Sequence, residues 1–353
     1  MSAPVLYESH SHTPLCKHAV GDPAEYAAVA EQRGLKGIII TCHGPLPDGL
    51  GIDHRMSPDE FGRYVDLVAA AREAFAGRVD VRLGLESDYF PGIESWAEQL
   101  HARAPLHHVL GSVHMQVTHY RAKYFTGDFF AYQQTYFEHL AESAETGLFD
   151  TLAHPDLVKN EAPHEWDFAR IRPGIERALD RIARTGVAME LNTSGLNKAL
   201  AEMNPGPRML EMIRDRGIPV VLGADAHRPS RVADRYEDAL RLLANLGFRT
   251  VSLFLERRRR EVPIAEALAS LQPAAEPAVP LDQRPYDQTT DKEREDDAQM
   301  GEPEDLASLD RSGIGRDQLG AHAGARQVLA DARKSPCRDV DGGHVRAGRA
   351  ELQ

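Results

Sequence analysis

One pattern recurs through the first 256 residues and leaves few folds open: a short apolar run, a polar turn, then a segment with helical spacing. Apolar runs at 5–9, 36–42, 80–85, 108–113, 151–153, 187–191 and 218–222 read as seven strands. A final run at 250–255 stands open as one more. Between them, Asp22-Pro23-Ala24-Glu25 supplies an N-cap, a proline at the first helical position and a glutamate that closes a capping box. Gly34 is the matching stop. Ser57-Pro58-Asp59-Glu60 repeats the start chemistry, and Phe61, Tyr64, Val68, Ala71 and Phe75 follow at helical spacing. Further helices are expected over 130–146, 174–184, 208–216 and 232–245. Strands that alternate with helices pair in parallel, because a crossover helix returns the chain to the same sheet edge. No G-x-G-x-x-G opens a helix, which argues against a dinucleotide-binding sheet. Seven or eight strand–helix units in this length suit a β/α barrel.

Composition narrows the class further. No apolar run approaches the roughly 20 residues of a membrane helix, and the N-terminus lacks the basic and apolar regions of a secretory signal. Three cysteines, Cys16, Cys42 and Cys337, point to a reducing compartment and a cytoplasmic location rather than a disulfide scaffold. The formal net charge of −13 argues against a nucleic-acid partner. From residue 271 onward the chain turns polar and Pro-rich, with 17 acidic against 11 basic residues. The expected division is a folded domain over 1–270 and a mostly disordered acidic tail over 271–353. The tail is expected to take no part in the chemistry.

The 16 histidines are the outstanding count, and their placement matters more than their number. The first strand ends in His10-Ser11-His12, the second in Cys42-His43, the third in Glu86, the fourth in His114, the fifth in His154 and the seventh in Asp225-Ala226-His227. His18 follows in the loop after the first strand. In a parallel α/β fold the carboxyl ends of all strands face one mouth. Side chains two apart on a strand share a face, so His10 pairs with His12 and Asp225 with His227. Seven imidazoles and two carboxylates at one rim call for cations, two or three divalent ions of zinc, manganese or iron type with a bridging carboxylate. Neighbouring divalent ions activate water near neutral pH and clamp phosphoryl oxygens. Metal-assisted hydrolysis of a small-molecule phosphate ester is therefore the first expectation. The remaining histidines lie off the strand ends, on helices or in the tail, and are read as surface or core residues.

These residues resemble the polymerase-and-histidinol-phosphatase (PHP) superfamily. The likeness runs over 5–256 through His10-Ser11-His12-Thr13, Cys16-Lys17-His18-Ala19, Thr41-Cys42-His43-Gly44-Pro45, Gly84-Leu85-Glu86-Ser87-Asp88-Tyr89, Gly111-Ser112-Val113-His114, Ala153-His154-Pro155-Asp156, Glu190-Leu191-Asn192-Thr193-Ser194-Gly195-Leu196 and Gly223-Ala224-Asp225-Ala226-His227. TPLCKHA, ESDY and ELNTSGL resemble its histidinol-phosphate phosphatase branch in particular. The resemblance implies a distorted seven-stranded β/α, TIM-like barrel with a trinuclear site acting in histidine biosynthesis. It implies one ion on His10, His12, Glu86 and Asp225, a second on Glu86, His114 and His154, and a third on His18, His43 and His227. One position departs: Cys42 stands where the family usually has aspartate. It reads as a small buried residue or as a soft ligand favouring zinc.

A substrate with a phosphate, an amine and an imidazole needs cations at one end and acids at the other. Lys17, Lys159, Lys198 and Arg228 lie beside the motifs as candidates for the phosphate, with Lys159 preferred. Asp88 and Glu190 are the candidates for the cationic end. Asp225, His227 and His18 are the candidate catalytic groups. Two rival readings share the metals: a phosphodiesterase acting on nucleic-acid ends, which needs a basic aromatic groove, and a metal-binding regulatory protein without turnover. The basic run 257–260 is expected to be a solvated edge after the last strand.

Overall fold

The computed structural model describes residues 3–273. Its strands are β1 (Tyr7–Glu8), β2 (Gly37–Ile40), β3 (Asp80–Asp88), β4 (His108–Ser112), β5 (Thr151–Leu152), β6 (Ala188–Asn192), β7 (Val220–Gly223), β8 (Thr250–Leu255) and β9 (Arg258–Pro263). They form one sheet in chain order, β1 through β8 parallel and β9 antiparallel to β8. Nine helices accompany them among the described residues: α1 (Pro23–Gln32), α2 (Phe61–Ala74), α3 (Glu94–His101), α4 (Thr118–Tyr124), α5 (Phe129–Glu145), α6 (Phe168–Ile182), α7 (Pro207–Asp215), α8 (Tyr236–Asn245) and α9 (Ile264–Ser270). None is long and apolar enough to cross a membrane.

Local chemistry accounts for most boundaries. Asp22 accepts the backbone N–H groups of Ala24 and Glu25 at 2.9 and 3.1 Å, and Glu25 accepts the Asp22 N–H at 2.7 Å, which completes the expected box at α1. Residues Phe61, Tyr64, Val68 and Ala71 of α2 are buried, as their spacing requires. Strands β2, β4 and β6 are buried along their whole length, so side chains on both faces enter packed core.

Three expectations need correction. Among the described residues the sheet has nine strands rather than seven. Residues 250–255 do form β8, and the run read as a solvated edge contributes β9, joined by a two-residue turn at Glu256 and Arg257 with φ of 56° and 60°. Such a turn usually carries glycine or asparagine, so composition did not reveal it. Helix α6 begins well before residue 174, because Asp167 caps it through the N–H groups of Ala169 and Arg170. Helix α8 begins later than 232, because Ala233 and Arg235 adopt positive φ. The tail expected over 271–353 lies outside the described residues except at its start, where the Gln272 N–H donates to the Arg33 carbonyl at 3.0 Å.

The chain beyond β1 meets the chain beyond β7. Ser11 bridges Ala226 in parallel; the His12 N–H donates to Ala226 O at 2.9 Å and the Ala226 N–H to His10 O at 3.0 Å. Glu8, fully buried, fastens the same junction by accepting N–H groups from His10, Ala224 and Ala233 and the Tyr236 hydroxyl, at 2.7–3.0 Å. Four donors offset the cost of burying that carboxyl. Sequence segments more than two hundred positions apart are thereby held side by side.

Candidate metal centre

All nine side chains picked from strand ends and the adjoining loop gather at one rim, and five of the imidazoles meet the Glu86 carboxylate. Its Oε2 lies 2.8 Å from His43 Nδ1, 3.4 Å from His10 Nε2 and 3.6 Å from His12 Nε2. Its Oε1 lies 3.1 Å from His154 Nε2 and 3.3 Å from His114 Nε2, and accepts the Ser112 hydroxyl at 2.6 Å. Glu86 sits at the centre because β3 is the longest parallel strand and carries it next to β4, with Glu86 opposite Leu110 in register. Asp225 forms a second focus: its Oδ1 is 3.0 Å from His12 Nε2, 3.6 Å from His10 Nε2 and 3.4 Å from His227 Nδ1. His18 closes the rim, its Nε2 2.9 Å from His227 Nε2.

Two of these residues have backbones that L-amino acids rarely adopt. His154 has φ of 29° and Asp225 of 50°. Each such conformation costs about 1–3 kcal/mol and persists only when its surroundings dictate it. Around His154 those surroundings are the Glu190 carboxylate, which accepts its N–H at 2.7 Å, and the Tyr136 hydroxyl, which donates to its carbonyl at 3.2 Å.

The donor set fits divalent ions. His10 Nε2, His43 Nδ1 and Glu86 Oε2 are buried without a hydrogen-bond partner, although they crowd within a few ångströms of one another. Atoms that approach so closely without bonding are aimed at a shared point rather than at each other. The electrostatics agree. Burial alone would raise the Glu86 carboxyl, but His43, His10 and His114 hold it well below the usual carboxylate range. Burial opposes charge on His114, yet Asp88 and Glu86 raise its imidazole to about 10. His12 is likewise raised to about 9 against the pull of burial, first by Asp225. Without ions the cluster neutralises its acids with protons on imidazole, and divalent cations can take over that work. Mutually close ligand sets are His10, His12 and Glu86; His43, Glu86 and His114; and His12, His43 and His227. His43 thus stands between the second and third expected groupings.

The structure corrects four of the six expected substrate contacts. Glu190 is buried behind His10, accepting its Nδ1–H at 2.7 Å, with Asn192 Nδ2 at 3.0 Å on the other oxygen. A β-carbon on Gly223 would lie 1.9 Å from Glu190 Oε1, so only glycine lets this carboxylate pass. Asp88 lies 3.0 Å from His114 Nδ1 and pairs with the buried Arg55 guanidinium at 2.7 Å. Both acids orient imidazoles rather than facing a ligand. Lys159 is fully buried, and its ammonium is engaged by Asp156 at 2.9 Å, Glu202 at 3.1 Å and the Met203 carbonyl at 2.8 Å. A buried ammonium requires such partners, which leaves no N–H for phosphate. Lys17 pairs with Glu60 at 2.8 Å. Lys198 and Arg228 are half-buried, with no side-chain partner among the described residues.

Arg55, Glu8 and Ser112 were missed. Glu8 was legible, since Glu8, His10 and His12 follow a two-residue spacing on one face. Arg55 lies in an irregular polar stretch that offered no signal.

Comparison with known proteins agrees with this geometry. The PHP domain family model matches residues 8–194. A protein named probable histidinol-phosphatase from Deinococcus radiodurans is 37% identical over 267 residues, covering 73% of this chain and 99% of that protein. The histidinol-phosphatase of Bacillus subtilis is 28% identical, covering 65% of this chain and 96% of its own length. Among solved structures, histidinol phosphate phosphatase from Lactococcus lactis, complexed with zinc, L-histidinol and phosphate, superimposes with a TM-score of 0.60 at 20% identity, over 72% of this chain and 98% of that one. A mostly parallel α/β sheet shared with that structure, and a motif set matched across more than half its length, place this chain in the PHP domain family.

Proposed function

We propose that the protein is a metal-dependent phosphomonoesterase that hydrolyses L-histidinol phosphate to L-histidinol and phosphate. The observation that carries the reading is the single Glu86 carboxylate approached by five imidazoles, three on one oxygen and two on the other. The substrate follows from the relatives named for it, one of them 37% identical over almost its whole length.

We assign two or three ions to this donor set, on the groupings the resemblance implies: one on His10, His12, Glu86 and Asp225, one on Glu86, His114 and His154, and one on His18, His43 and His227, with His43 also in reach of Glu86 and His114. Such ions, zinc, manganese or iron, supply Lewis acidity toward phosphoryl oxygens and acidify water. The chain's own contribution is orientation. Glu190 and Asp88 hold the far nitrogens of His10 and His114, which keeps the Nε2 atoms pointing inward. Ser194 Oγ, 3.1 Å from Asp225 Oδ2, fixes the second carboxylate. His18 and His227 border solvent, but each turns Nδ1 to a backbone carbonyl and leaves Nε2 for an ion, so the proton for the leaving alcohol oxygen would come from water at the rim rather than from His18, His227 or Asp225. Arg228 and Lys198 are the cations left for phosphate. The reading assigns this activity to residues 1–270. The scarcity of cysteine, with Cys16 and Cys42 both free, supports a cytoplasmic setting.

The test is phosphate release by protein stripped of metal and reloaded with zinc, manganese or iron. Histidinol phosphate is compared with a generic phosphomonoester and with single-stranded DNA ends. A kcat/KM at least about tenfold higher for histidinol phosphate is expected, a preference worth about 1.4 kcal/mol. Preferential cleavage of DNA, or stoichiometric metal without phosphate release, would overturn the reading.

A further inference from the structure

Beside the imidazole cluster lies a second set of donors of different character. His12, Cys16 and Cys42 are all fully buried, and one ligand atom from each lies within 4.8 Å of the others. Both cysteines are free thiols. The imidazole of His12 has two sides. Its Nε2 faces Asp225 and Glu86 at 3.0 and 3.6 Å, whereas its Nδ1 is buried with no hydrogen-bond partner. The Cys42 sulphur accepts the Thr13 N–H at 3.4 Å and the Thr13 hydroxyl at 3.2 Å, and its thiol faces the Thr13 carbonyl at 3.5 Å.

We propose that His12 Nδ1, Cys16 Sγ and Cys42 Sγ form a binding site for one thiophilic metal ion, back to back with the phosphatase centre. Two sulphurs and one imidazole nitrogen, with no carboxylate, select soft or borderline cations such as zinc, cadmium or copper(I) over magnesium or calcium. The stoichiometry balances for a divalent ion: two thiols release two protons to water as two metal–sulphur bonds form, and the two thiolates neutralise the ion's charge inside the core. Entry is available, because Cys16 also lies within the same reach of His18 and His227, which border solvent. His12 then belongs to two sites through its two nitrogens, so an ion held by sulphur competes for the imidazole that faces Asp225. A thiophilic ion in excess is expected to slow turnover.

The site is independent of which ester the enzyme cleaves, and its test is spectroscopic. The full-length protein, stripped of metal, is titrated anaerobically with cobalt(II). A sulphur-to-cobalt charge-transfer band whose final intensity accounts for one cobalt per chain is expected, and it is lost in Cys16→Ser and in Cys42→Ser while the remaining cobalt stays bound. Should either variant fail to fold, cadmium-113 resonance of the unaltered chain gives the same information through a sulphur-bound signal. Saturation with cobalt without the band, or a band that survives both substitutions, overturns the site. Phosphate release without the band sinks the sulphur site alone; the band without phosphate release sinks the phosphatase reading alone.

Discussion

Two charged regions of the molecule obey opposite rules. At the carboxyl ends of the parallel strands, Glu86 and most of the clustered imidazoles are buried, Asp225 is partly so, and each acid faces several imidazoles. On the hairpin β8–β9, Arg258, Arg259 and Arg260 stand in water, and Arg259 makes a 3.1 Å pair with Glu261 on its own strand. Charge in water costs little and needs no partner, and such pairs contribute at most about 1 kcal/mol. Charge in a packed interior is expensive unless every group has an opposite. The rim buries five imidazoles, those of His10, His12, His43, His114 and His154, around one carboxylate. What the contrast teaches is that a buried excess of titratable groups marks function, whereas the exposed run of three arginines on β9 marks an edge strand protected against pairing with another sheet.

Substitutions can break this contrast, and the largest effect is expected at its centre. Glu86→Gln removes one of the two acids that balance the imidazoles; a loss of several kcal/mol of transition-state stabilisation corresponds to about a thousandfold in kcat/KM. Steady-state kinetics with elemental analysis checks it, and near-normal activity with full metal content would contradict a bridging role. Next in size is the layer behind the ligands. Glu190→Gln and Asp88→Asn are expected to cost about 10–100-fold in metal affinity or activity, read by chelator competition. Arg55→Ala, which strands the buried Asp88 charge, should also lower unfolding free energy by about 3–5 kcal/mol in a urea titration. An unchanged chelator competition curve would return Glu190 and Asp88 to the substrate side. The smallest effect belongs to the hairpin: Arg258→Ala and Arg260→Ala should shift stability by less than about 0.5 kcal/mol and leave kinetics untouched. A large effect there would show that the edge has a partner.

The order of strands and helices was legible because local rules govern it. Capping at Asp22 and Ser57, and the spacing from Phe61 to Ala71, are decided by neighbours in the chain. The nine clustered side chains were legible for a related reason, since parallel pairing forces strand ends to one side. The hairpin at Glu256 and Arg257 escaped because its positive φ values fall on residues that seldom adopt them. The roles of Lys159, Asp88 and Glu190 escaped because a charged residue beside a motif has the same appearance whether it meets a ligand or another side chain.

From the amino-acid order alone came the alternating architecture, the inward set of imidazoles and acids, and the kind of chemistry they imply. Only the folded arrangement decided which of them share the Glu86 oxygens, which acids stand behind them, and that His154 and Asp225 hold strained backbones. The physical reason is range. Hydrogen bonding and periodicity act over a few residues and are written into the chain directly, whereas His10 meets Glu190, and His12 meets Asp225, across gaps of 180 and 213 positions that only packing can close.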